Sequence, residues 1–359
     1  MRWFLFGLII SGIAIGVPIA YSKFSKPKYI LSSLPYSYQE IERKYREEVI
    51  SQINEKLEGK GVSSEVKDIL EKLKNNLGRE ENNKLVERLN SLLQDDEIKS
   101  ISSKLVIRWE PDERKVKIGK EIFENLCMTC HGRAGDSFNI TPEGLKTDIG
   151  YPIYARDFTG KYHREGKVVF KFASDYFGEF ASDEDLKKII KEGLAGTPMP
   201  GFTYLSDEEI NSLLEYIKSL NPRWKFASPQ PKNYPVPPTD LLSEERIERG
   251  RRQFMTVCIA CHRNIESGEE PLEQPLAWYK FDKKGNIITQ DGSPSFQMIK
   301  ARWFGKEPLR RGKPEYIFAT IRDGIAGTTM TPWRHLGDET IWDLVSYILY
   351  IEKKGAASK

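Results

Sequence analysis

Cysteine is scarce in this 359-residue chain. There are four, and all fall in two pentapeptides, CMTCH at 127–131 and CIACH at 258–262. None is left over for a structural disulfide, and none lies near the N-terminus as a lipid acceptor. Histidine is as scarce, with four residues, two of them inside those pentapeptides. Charge of one sign is not in excess. Lys and Arg total 55 against 52 Asp and Glu, a net +3, which argues against nucleic acid as a partner. Residues 38–95 contain no Cys, His or Trp, so that stretch has little with which to do chemistry.

One stretch lacks charge altogether. Trp3 to Tyr21 (WFLFGLIISGIAIGVPIAY) is 19 residues long. As helix it spans roughly 28 Å, close to the hydrocarbon core of a bilayer. Trp3 and Tyr21 stand at its two ends, as interface residues do. The alternative is a cleaved signal peptide. The apolar run is long for one, and its small-residue cleavage pattern, Ala20-Tyr21-Ser22, is poor. We expect residues 1–22 to form a transmembrane anchor (or signal peptide). Arg2 on one side and Lys23, Lys26 and Lys28 on the other run against the positive-inside rule for an N-in anchor, so orientation needs another argument. Gly12 and Gly16 form GxxxG, a spacing that packs membrane helices but also arises by chance.

Residues 38–95 read as helix in three stripes: Ile50, Ile53 and Leu57; then Val66, Ile69, Leu70, Leu73 and Leu77; then Leu85, Leu89, Leu92 and Leu93. Gly59, Gly61 and Gly78 punctuate them, and Ser63 marks a helix start. We expect residues 23–105 to be a helical spacer or docking region.

An internal repeat begins near Val116. Gly119, Phe123, Cys127, Cys130 and His131 match Gly250, Phe254, Cys258, Cys261 and His262 at a constant offset of 131. EGLAGTPM ending at Met199 matches DGIAGTTM ending at Met330 at the same offset, and SDEEINSLLEYIKSL (206–220) matches GDETIWDLVSYILYI (337–351). The chain therefore carries two copies of one domain, at 112–221 and 243–355. Between them, at 222–242, Pro222, Pro229, Pro231, Pro235, Pro237 and Pro238 predict an extended, semi-rigid connector. It is expected to hold the copies at a defined separation.

Two thiols three positions apart can bond both vinyl groups of one porphyrin, and the next residue's imidazole then lies beneath the iron. Zinc prefers CxxC pairs roughly 15–20 residues apart, whereas these pentapeptides start 131 apart. A thioredoxin-like CxxC needs a βαβ setting that is missing here. Two motifs in matching copies therefore predict two covalently bound haem c groups, with His131 and His262 as proximal ligands.

The sixth ligand is sought among six methionines. Met1 is terminal, Met128 lies inside the attachment loop, and Met255 lies on the helix leading to it. Of Met199, Met298 and Met330, the first and last each follow their histidine by 68 residues and end a Gly-rich turn. Met is usually core filler. Recurring at one place in both copies, in a Gly/Pro loop, Met199 and Met330 read as iron ligands. His163 and His335 lack counterparts in the other copy and read as surface or packing residues, with His335 a minor alternative to Met330.

On these residues the chain resembles class I cytochrome c domains in tandem, as in the mono- and diheme cytochromes of bacterial respiratory chains. The resemblance covers roughly 112–355. It rests on Gly119 and Phe123 before CMTCH, the Met loop, and a last helix with Leu213 and Tyr216; the second copy has Gly250, Phe254, Leu344 and Tyr347. It implies a mainly α fold in which the first and last helices of each copy cross at the glycine. It also implies attachment of haem on the outer face of the inner membrane, and hence periplasmic haem domains.

Six-coordinate His/Met iron suits outer-sphere electron transfer. The expected function is a membrane-anchored periplasmic diheme carrier, or the equivalent subunit of a respiratory complex. Its donor would be a quinol-oxidising complex or dehydrogenase, and its acceptor a terminal oxidase or reductase. The alternatives are a diheme peroxidase-type enzyme, which needs an opened iron and a distal acid–base group, and a docking or assembly protein acting through its helices. Arg156 reads as a partner for a haem propionate or as a solvated loop residue. Trp303 and Trp333 read as walls of the second haem or ordinary core. Arg249, Arg251 and Arg252, with Lys306, Arg310, Arg311 and Lys313, read as a steering patch for an acidic partner or as solvated surface.

Overall fold

The structure, a computed structural model, describes residues 36–138, 144–176, 178 and 180–357. The expected anchor at 1–22 lies outside them. Among the described residues no helix is long and apolar enough to cross a membrane.

The described chain is mainly helical. Helices α1 (Tyr38–Leu57), α2 (Ser64–Leu73), α3 (Arg79–Leu93) and α4 (Asp96–Ser102) form the first bundle. Ser37 and Glu40 cap α1 reciprocally, and the Ser63 hydroxyl accepts from the Val66 amide at the start of α2. The apolar stripes meet in one core that includes Ile53, Leu73, Leu89 and Leu105. Arg46 crosses this core fully buried, donating to Glu42, the Leu73 carbonyl and Asn82. The bundle does not stand off as a spacer. It packs on the start of the connector through Tyr45 against Phe226, ring centroids 5.0 Å apart, and through a 2.9 Å ion pair of Lys225 with Glu42.

The first copy begins with α5 (Glu113–Leu126) and the short turn α6 (Met128–His131). A two-strand ribbon follows, β1 (Leu145–Lys146) with β2 (Pro152–Ile153), and then α7 (Asp183–Glu192) and α8 (Asp207–Ser219). The second copy has α9 (Glu244–Gln253), a π-helical turn at Phe254–Cys258, and α10 (Ile259–His262). Next come β3 (Glu273–Tyr279), β4 (Thr289–Gln290), β5 (Ser293–Pro294) and β6 (Phe296–Lys300), with β3 antiparallel to β6 and β4 to β5. Helices α11 (Pro314–Asp323) and α12 (Asp338–Ala357) complete it.

Helices α5 and α8 cross at Gly119, where a Cβ would overlap the Ser212 carbonyl; α9 and α12 cross at Gly250, where it would overlap that of Asp343. Glycine is required by this close approach, not by a positive φ.

The Pro-rich connector corrects one expectation. It does not space the copies apart, because they touch directly along a seam. The outer edge of β3 pairs with the first copy: the Arg164 amide donates to Ala277 and the Tyr279 amide to Tyr162, at 3.0 and 2.7 Å. Trp278, Leu276, Val169 and Ala326 form a small core there. An open β edge is satisfied by this pairing, which is a physical reason for closure. The connector lies along the seam. Asp185 accepts from the Lys232 amide and the Tyr234 hydroxyl, and Arg322 donates to the Asn233 carbonyl.

Candidate functional site

The pentapeptide follows the first helix of its copy, directly in the first copy and through the π-helical turn in the second. Buried Phe123 and Phe254 lie one turn earlier, and Cys127 and Cys258 pack against the two cores. Burial, followed by the neighbouring cysteine, pushes both of these thiols up to about 12, so they stay protonated at neutral pH.

The histidines are held alike. His131 Nδ1 lies 3.0 Å from the Arg156 carbonyl, and His262 Nδ1 lies 3.0 Å from that of Arg302. A carbonyl only accepts, so Nδ1 carries the proton and Nε2 keeps a free lone pair. Burial lowers His131 to about 4 and moves His262 down as well, so both imidazoles are neutral at pH 7. Phe158 stacks on His131 at 4.6 Å, and Phe304 lies against His262 at 4.8 Å.

The Met loops also agree. The Leu194 amide donates to the Met199 carbonyl and the Met199 amide to the Thr197 hydroxyl; Ile325, Met330 and Thr328 repeat both bonds. Gly193 and Gly324 open these loops at φ of 70° and 71°, where a Cβ would also strike the returning strand of the loop. Met298 instead lies on β6, opposite Pro275.

In the second copy Cys258, Cys261, His262 and Met330 line one cavity, with Phe254, Phe304, Leu309, Ile321 and Trp333 as apolar wall. In the first copy Cys127 and Met199 pack against one core, and His131 is buried on Phe158. Nearby, the indole N–H groups of Trp278 and Trp303 are buried without an acceptor among the described residues. An apolar cleft with two thiols, a neutral imidazole, a thioether and unused donors beside it fits a flat apolar ring with an acidic edge.

Other candidates are placed differently. His163 is buried in the seam, edge-on to Trp278 at 5.3 Å, while His335 is exposed beside Trp333. Arg156 is half-buried; its guanidinium lies 3.7 Å from the Trp278 ring centroid. Most of the proposed steering patch is ion-paired within the chain. Arg249 pairs with Asp343 and Glu245, Arg251 with Glu266, and Arg252 with Glu248. Arg310 and Arg311 line the second cavity, and Arg311 and Lys313 pair with Glu192 across the seam.

The carbonyl partners of the histidines were missed in sequence. Ala155-Arg156-Asp157-Phe158 corresponds to Ala301-Arg302-Trp303-Phe304, but at an offset of 146. Histidine to arginine is 25 residues in the first copy and 40 in the second. Arginine to methionine is 43 and then 28. Each copy thus carries a 15-residue insertion that the other lacks, in different places, and the two cancel. The signal was the repeated ARxF.

Residues 116–221 match the family described as Cytochrome c, and residues 245–348 match the family described as Cytochrome C oxidase, cbb3-type, subunit III. No curated protein matches the chain. Among solved structures it is similar to a chain of the reducing HAO-like protein complex of Kuenenia stuttgartiensis, at 20% identity and a TM-score of 0.48, over 68% of this chain and 98% of that one.

Proposed function

The chain is a tandem class I cytochrome c with two covalently attached haem c groups, and on that premise we propose that it is a membrane-anchored diheme electron carrier of the periplasm, or the diheme subunit of a respiratory complex. Haem c supplies one-electron chemistry when bound. Cys127 and Cys130, and Cys258 and Cys261, would hold the two rings covalently. His131 and Met199 would ligate one iron, His262 and Met330 the other. The backbone carbonyls of Arg156 and Arg302 orient the two imidazoles, and Phe158 and Phe304 pack against them.

The observation that carries this reading is the likeness of the two sites: the same His–carbonyl bond, the same phenylalanine and the same Met loop. A peroxidase-type site needs one iron left open beside an acid–base group. The residues lining the second cavity include no Asp or Glu, and His262 is their one imidazole. The apolar run Trp3–Tyr21 supports the anchor, and the resemblance to bacterial class I cytochromes c supports the periplasm. The family matched by residues 245–348 is named for an oxidase subunit, which supports a terminal oxidase or reductase as acceptor. A quinol-oxidising complex or dehydrogenase is the proposed donor.

The test is the optical spectrum of the reduced protein with and without carbon monoxide. The wild type should not respond. Met199→Ala and Met330→Ala should each bind carbon monoxide at one haem while keeping both haems covalently attached. Binding by the wild type would turn the reading to an enzyme with a labile site, and a silent Met variant would remove that residue as ligand.

A further inference from the structure

The seam between the copies gathers cations without matching anions. Arg156 and Lys171 come from the first copy, Arg302 and Arg310 from the second. Glu307 pairs with Arg302 and with Arg310. Among the described residues the Arg156 guanidinium and the Lys171 ammonium have no hydrogen-bond acceptor; both face the Trp278 ring, at 3.7 and 5.9 Å from its centroid. Asp157, next to Arg156, already accepts from the Thr159, Gly160 and Tyr162 amides. Two half-buried cations that face one ring and have no acceptor of their own favour an anion beside them.

Position identifies the anion. Lys171 belongs to the first copy, yet it lines the second copy's cavity with Cys258, Cys261, His262 and Met330. Arg156 carries the carbonyl that holds His131 in the first site. Both face Trp278. Arg156 is over its ring, and a Cβ on Gly327 of the second Met loop would come within 2.6 Å of it. Lys171 and Trp278 lie in the two segments that differ in length between the copies, one in each copy, so neither copy alone has this arrangement.

We propose that this cluster is a carboxylate-binding cradle shared by the two haems. Lys171 takes a propionate of the haem held by the second copy, Arg156 takes one of the haem held by the first, and both face Trp278. The proposal rests on the two-haem reading. Its consequence is electrostatic linkage: a cation in the cradle favours the reduced, less positive state of both irons, so removing it lowers both potentials.

The experiment uses the full-length protein with its haems. Covalent haem is first counted per chain, and a count below two in the wild type would fail the haem reading rather than this one. Lys171→Met and Arg156→Gln are then titrated spectroelectrochemically, and their propionate bending bands are recorded by resonance Raman. In each variant the two midpoints should both fall, the nearer by the order of a tenfold change in the one-electron equilibrium constant, about 59 mV. The propionate band should shift, and Lys171→Arg should restore both readouts. Two retained haems with unchanged midpoints and bands in both variants would overturn the cradle. A fall confined to one midpoint in each variant would overturn its being shared. Should Lys171→Met lose haem, Arg156→Gln decides by the same readouts.

Discussion

At the scale of single residues, the two sites are set by small polar contacts around an apolar centre. The carbonyls of Arg156 and Arg302 choose the tautomer of the histidines, and the Thr197 and Thr328 hydroxyls pin the Met amides. His163 shows what an imidazole does in the same protein without such a role. It is 3% exposed, and burial first, then Lys167, Arg156, Arg164 and Arg223, keeps it neutral well below the usual histidine range. The unfolded chain takes up that proton near pH 6.5 and the folded chain does not, so stability is present above pH 6.5 and lost as pH falls below it. The loss should approach about 1.4 kcal/mol per pH unit. Thermal melts from pH 7 to 5 should fall less steeply for His163→Gln than for the wild type; equal slopes would show that His163 is protonated in the fold.

At the scale of elements, crossing helices and unmatched insertions shape the molecule. Gly119 and Gly250 sit where α5 meets α8 and α9 meets α12. A methyl group at either place must push a helix away, at a cost of about 1–3 kcal/mol. Gly250→Ala should therefore melt lower than the wild type. Gly61→Ala, where a Cβ meets nothing within 4 Å, should not. Equal melts would mean that the crossing relaxes freely. The helices and their glycines were legible because the repeat keeps one offset across them. The insertions were hidden by the same repeat: they are of equal length, so the motifs before and after them stay in register. The longer His262–Arg302 segment of the second copy carries β3 and β6, strands that the helical reading did not include.

At the scale of the whole molecule, the helical bundle, the two haem domains and the connector pack together. Phe226 and Lys225 join the bundle to the start of the connector, and β3 joins the copies. The anchor is proposed from residues 3–21 alone. Replacing residues 1–22 by a cleavable leader should give a soluble protein with both haems, read by partition between membrane and supernatant. Retention in the membrane would assign attachment to a partner instead.

By itself the sequence determined the covalent chemistry: two CxxCH motifs, two Met loops and two sets of helices at one repeat distance. Such information is local, because a thiol pair and the imidazole beside it act within one turn of chain. What only the tertiary structure decided is how the two copies meet. The basic residues that read as an outward patch are mostly consumed in ion pairs or turned into the seam, and Arg156 and Lys171 converge on Trp278 from the other copy. That convergence depends on which insertion finds the free edge of β3, a contact between residues more than a hundred positions apart. No periodicity along the chain reports such a contact, because it is made by packing and hydrogen bonding across the seam.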